Sequence, residues 1–152
     1  MSLHDDIEHD LHAAMKARDK DKTSALRMVV AALKNRAVAD GLSPQGRLSD
    51  DVVQQVLSTE LKRRTEAADA FANAGRADQA ARERAEADLY AQYLPEPLSD
   101  DEIAAAVDRA ITDSGADGPQ QMGQVMKAVM AEIGGRADGA KVSAMVRQRL
   151  TG

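Results

Sequence analysis

Residues 93–102 read YLPEPLSDDE, and how this stretch is read decides how the chain divides. Pro95 and Pro97 each lack an amide donor and bias the residue before them away from helix, so a helix arriving at Leu94 stops. Ser99 and Glu102 stand in the S-x-x-E spacing of a capping box, which starts a new helix. A stop and a start in so short a run mark a boundary, predicted between an N-terminal lobe of residues 1–95 and a C-terminal bundle of residues 96–152.

Upstream, Ser2 with Asp5 suggests a first helix, and Leu3, Ile7, Leu11 and Met15 recur along one face of it. After the charged break ARDKDKT, Leu26, Val29, Val30 and Leu33 carry the helical i, i+3, i+4, i+7 spacing up to a stop at Gly41. Pro44 and Gly46 give GLSPQGRLS the look of an exposed loop. Ser49 opens a third helix running to about Gly75, and a fourth is expected over ADQAARERAEADLYAQYL, ending at Leu94.

Downstream, a fifth helix runs from Ser99 to about Gly115, and Pro119 suits the first position of a sixth. Met122, Val125, Met126, Val129, Met130 and Ile133 form the apolar stripe of that sixth helix. A seventh starts after Asp138 and buries Val142, Met145, Val146 and Leu150. No strand pattern competes. The fold class is therefore all-α: a four-helix N-terminal lobe joined by a proline hinge to a C-terminal three-helix bundle.

Between the last two helices lies IGGRADGAKV, residues 133–142. Gly134 or Gly135 can take the left-handed conformation that ends a helix, and Asp138 suits the N-cap of the next. Arg136 stands where it favours the negative end of the sixth helix. Gly139 is costly in a first helical turn, which points to a close approach by the sixth helix or by an outside backbone.

Composition narrows the function. The 152 residues contain no cysteine, which excludes disulfides, thiolate metal sites and cysteine nucleophiles. No apolar run approaches a membrane span, and MSLHDDIEHD is too acidic for a signal peptide, so a soluble cytoplasmic protein is expected. With only Phe71, Tyr90 and Tyr93 as aromatics, base stacking on aromatic platforms is excluded as a main binding mode. Net charge is −5, which argues against general polyanion affinity. The charge is unevenly spread: residues 96–118 hold one basic against seven acidic residues, and residues 119–152 hold five against two.

The run MGQVMKAVMAEIGGRADGAKVSAMVRQRL (122–150) resembles the signature of the YqeY-like family. That family is similar to the C-terminal tail of GatB, a component of the glutamyl-tRNA(Gln)/aspartyl-tRNA(Asn) amidotransferase. LRMVVAALKNRAV (26–38), ELKRRTEAADAFANAGRADQA (60–80) and YLPEPLSDDEI (93–103) also resemble the family's free-standing members. The resemblance implies a bilobed helical protein whose C-terminal module corresponds to one that reaches the outer corner of tRNA. It also carries a family-level association with carbon–nitrogen ligase activity using glutamine as amide donor. That chemistry resides in a separate cradle domain of the larger enzyme, to which nothing here corresponds.

Two function classes follow: a non-catalytic tRNA-binding accessory module, or a helical adaptor for a protein of the translation machinery. The RNA reading names Lys127, Arg136, Lys141, Arg147 and Arg149 as phosphate contacts, beside a joint built of Gly134, Gly135, Asp138 and Gly139. Free amides at the start of the seventh helix would help them. Lys62, Arg63 and Arg64 point apart on a helix, and the spacing pairs Lys62 with Glu66 and Glu60 with Arg64. His4, His9 and His12 lack the second E-x-x-H element of a bundle metal site and are expected as ordinary surface residues. No serine has a histidine placed by motif and no phosphate loop occurs, so no catalytic residue, metal or cofactor is expected. Neither membrane nor DNA is expected as a partner.

Overall fold

The computed structural model describes residues 2–134 and 136–151. Among them the structure is helical without strands: α1 Leu3–Lys16, α2 Lys20–Ala39, α3 Asp50–Asn73, α4 Ala77–Ala91, α5 Asp100–Ser114, α6 Met122–Ile133 and α7 Gly139–Thr151. The chain splits into two compact units, Met1–Leu94 and Pro95–Gly152.

In the N-terminal unit, local chemistry sets the helix ends. Ser2 and Asp5 close a full capping box on α1, and the Ser2 hydroxyl and amide hold the Asp5 carboxyl below its ordinary range. At the other end of α1 the chain turns within three residues. Arg18 takes a left-handed φ of 56°, its amide donates to Met15 O, and Asp19 at once caps α2 by accepting from the Lys22 amide at 3.1 Å. Helices α3 and α4 form a long hairpin whose corner uses Gly75 at φ 77°.

Ile7, Leu26, Val29, Leu33, Val53, Leu57 and Tyr90 fill the core of this unit. Tyr90 is fully buried, and its hydroxyl donates to the carbonyl of Ala25 at 2.8 Å. That bond satisfies the one polar atom a buried tyrosine carries, and burial pushes its hydroxyl pKa up. Tyr93 Oη donates to Asp10 Oδ2 at 2.5 Å, which fastens the residues after α4 to α1.

Three expectations need correction here. First, α4 ends at Ala91, not Leu94; the amides of Gln92, Tyr93 and Leu94 donate three residues back, tightening the chain before Pro95. Second, the loop before α3 is not wholly exposed. Leu48 is buried, and its amide donates to His4 Nδ1 at 3.2 Å. His4 is thus a core residue at 4% exposure, with Glu8 3.6 Å from its other nitrogen, and not a surface histidine. Third, the pairing along α3 differs. Glu60 accepts from Arg63 at 2.9 Å, while Arg64 reaches across to Glu83 and Glu86 of α4 at 3.5 and 3.7 Å.

The C-terminal unit repeats the pattern on a smaller core of Ile103, Val107, Val125, Val129, Ile133, Val142 and Val146. Met122, Met126, Met130 and Met145 are partly buried around it. Ser99 and Glu102 form the capping box of α5, and Gly115 at φ 68° ends that helix. Hydrogen bonds from Ser99 hold the Glu102 carboxyl low. Pro119 does not begin α6 directly; it opens a short 3-10 turn over Pro119–Gln121 that hands over to α6 at Met122. The Gln121 side chain accepts from the Asp117 amide at 2.7 Å, bracing that turn.

Candidate nucleic-acid interface

The joint between α6 and α7 is a corner built from backbone hydrogen bonds. Gly134 closes α6, its amide donating to Met130 O at 2.9 Å. Its φ of 58° with ψ of −134° is not the left-handed helical basin expected from the sequence. It is the mirror image of the first central position of a type II turn, which glycine alone reaches without strain. The Arg136 amide then donates to Ile133 O at 3.2 Å, closing the turn. Gly135 lies outside the described residues.

Asp138 caps α7: its carboxylate accepts from the Ala140 amide at 3.1 Å, and its carbonyl accepts from Val142. This places a fixed negative charge at the start of α7, where the sequence suggested free amides for a phosphate. A carboxylate in that position competes with an anion for the same dipole. Gly139 follows, and a Cβ added there would meet nothing within 4 Å. The close approach by α6 expected from this glycine is therefore absent.

Arg136 makes no side-chain hydrogen bond to the last carbonyls of α6 among the described residues. Its Nε donates to the Glu96 carbonyl at 3.3 Å, and its own carbonyl accepts from the Leu98 amide at 2.8 Å. The proline stretch and the glycine joint are thus clasped together, with Leu98 packed on the core of the same unit. Neither stretch signals the other by spacing; only the fold brings them together.

The remaining cations divide into two groups. Lys141 pairs with Asp100, and Arg149 Nε donates to Asp108 Oδ1 at 2.8 Å, so α7 is bound to α5 at two heights. Arg109 pairs likewise with Glu132, joining α5 to α6. The acidic and basic segments seen in the sequence thus meet at Lys141–Asp100 and Arg149–Asp108. Lys127 and Arg147 differ: both are exposed, and neither side chain forms an ion pair or hydrogen bond among the described residues. Each stands away from its helix's buried positions, Val125 and Val129 on α6 and Val142 and Val146 on α7.

Among the described residues, no group of three or more His, Asp or Glu side chains gathers as a metal site would require. No described helix is long and apolar enough to cross a membrane.

A family model described as Yqey-like protein matches residues 4–150, nearly the whole chain. The chain belongs to the YqeY-like family. The match spans both units of this YqeY-like chain and includes the clasp and the joint. No curated protein matches the chain.

Proposed function

We propose that this YqeY-like protein is a non-catalytic RNA-binding accessory module whose C-terminal unit contacts the phosphates of a tRNA-like fold. The carrying observation is that Lys127 and Arg147 stand exposed with no acidic partner among the described residues, in a segment of the chain with a basic surplus. Lys141 and Arg149 are held by exposed ion pairs, worth about 0–1 kcal/mol each. A phosphate displaces such a partner at small cost, so these two join as secondary contacts. Arg136 belongs to the clasp first. Amide transfer is left to a separate enzyme, for the chain offers neither a placed nucleophile nor a phosphate loop.

The test is a gel shift of the full chain with total tRNA at two salt concentrations. The double variant Lys127→Ala, Arg147→Ala should melt like the parent, because exposed substitutions of this kind stay within about 0.5 kcal/mol. It should bind tRNA more weakly and lower the salt dependence by about 0.7–0.9 log units of affinity per log of salt for each phosphate no longer neutralised. Parental affinity and salt slope in the double variant would sink the reading.

A further inference from the structure

The outward face of α2 is organised along its whole length, and no other helix of its unit covers it. Lys20, Arg27 and Lys34 recur every seven residues, so they line one edge of the helix. Ser24, Ala31 and Val38 recur in the same way on the adjacent line. All six are exposed. The side chains of Lys20, Arg27 and Lys34 form no ion pair or hydrogen bond among the described residues, and neither do those of Lys16, Arg18 and Lys22 beside them, whereas Arg36 at the far end of the helix pairs with Asp40. Beside the first turns of this strip, a groove of about 660 Å³ opens between the end of α1 and α2. Met15, 45% exposed, and Met28 lie in it, and Arg18 lines its rim from the left-handed corner. Residues 16–34 hold six basic residues against two acidic ones, a local surplus that the balance over the whole lobe conceals.

We propose that this face docks an amphipathic helix of a partner protein, with acidic residues along one edge of its apolar seam. Charge complementarity selects that occupant. Small side chains at Ser24 and Ala31 let a helix backbone come close, and methionines adapt to the seam laid on them. The strip from Lys20 to Val38 runs roughly 27 Å, the length of about five helical turns. RNA would satisfy the cations but leave Met15, Met28 and Val38 uncovered, since phosphates bring no apolar surface. A second copy packed face to face would set one basic edge near another, which costs affinity. The proposal does not depend on RNA binding by the C-terminal unit.

The experiment measures fluorescence anisotropy of a labelled synthetic helix, about three heptads long, with leucines on its seam and glutamates beside it. A matched peptide carries lysine in place of every glutamate. The full-length chain should bind the glutamate peptide saturably and the lysine peptide weakly. Arg27→Glu with Lys34→Glu should weaken the first roughly tenfold or more and strengthen the second. Ala31→Arg should block the glutamate peptide while thermal melting stays parental. If either charge-reversed position disturbs folding, Arg27→Gln with Lys34→Gln makes the same comparison. Absence of binding to the glutamate peptide, equal binding of both peptides, or unchanged affinity in the charge variants would overturn the proposal. So would loss of tRNA binding in those variants without any peptide binding, which gives the face to RNA. A parental dimer in sedimentation that Ala31→Arg dissociates gives it to a second copy and also overturns the proposal.

Discussion

Arg18 holds a backbone conformation that glycine would adopt freely, in the three-residue corner between the end of α1 at Lys16 and the start of α2 at Lys20. A side-chain-bearing residue there costs roughly 1 kcal/mol or more. Arg18→Gly should therefore raise stability by about 1 kcal/mol, read from the denaturation midpoint. It should also weaken binding of the glutamate peptide, because a cation lining the groove is removed. A variant less stable than the parent would show that the arginine side chain holds the corner by contacts that outweigh its strain. Nothing in ARDKDKT announces this φ, since sequence signals for left-handed corners rest on glycine and asparagine. Ser2 with Asp5 and Ser99 with Glu102 are legible for the opposite reason: a capping box closes within four residues and needs nothing from the rest of the fold. The burial of His4 is not legible, because its partner, the Leu48 amide, lies far along the chain.

Between helices, two predictions follow from charge and capping. Arg64 lies between Glu83 and Glu86, at distances longer than a good charge-assisted hydrogen bond. Burial raises the Glu86 pKa above its ordinary 4.5, Glu83 and Asp21 add to the shift, and Arg64 opposes it. A carboxyl whose folded pKa is raised contributes stability below the ordinary value and loses it as pH rises through the folded value. Glu86→Gln should therefore melt higher than the parent at neutral pH, with the gap closing toward pH 4.5. A gap independent of pH would assign the effect to packing. The capping carboxylates Asp5 and Glu102 have the opposite sign, their contribution being lost as pH falls below their ordinary values of 3.8 and 4.5.

The start of α7 offers a paired test. Asp138→Ala removes the cap and should cost ~1 kcal/mol, whereas Gly139→Ala enters open space and should stabilise by up to ~1 kcal/mol. If Gly139→Ala destabilises, the backbone there needs glycine after all. If it stabilises yet weakens tRNA binding, the missing Cβ serves an outside contact. Helix number and order are readable from periodicity together with the capping and helix-breaking residues. The pairing of Lys141 with Asp100 and Arg149 with Asp108 is not, because like segments of charge in a sequence do not say which helices will face each other.

At the scale of the molecule, the two units have separate apolar cores, one around Leu26, Leu57 and Tyr90 and the other around Val107, Val129 and Val146. A fragment of residues 1–94 should fold alone, with helical circular dichroism and a cooperative melt. A featureless melt would show that its core is completed by the rest of the chain. The proline stretch marks a boundary in the sequence, and the fold gives it a second use through the Glu96–Arg136–Leu98 contacts.

Those contacts set an order in time. The C-terminal unit consists of helices, which form within about a microsecond from neighbours in sequence. The hydrogen bond from the Leu98 amide to Arg136 O instead joins the two ends of a loop that contains α5 and α6. Closing such a loop carries an entropic cost that local turns do not, so this bond should form last on folding and open first under native conditions. Amide hydrogen exchange would read it directly. Leu98 should exchange well before Val107 at mid-α5, through local opening that leaves the bundle intact. Equal protection at the two positions would mean that the clasp and the bundle open only as one.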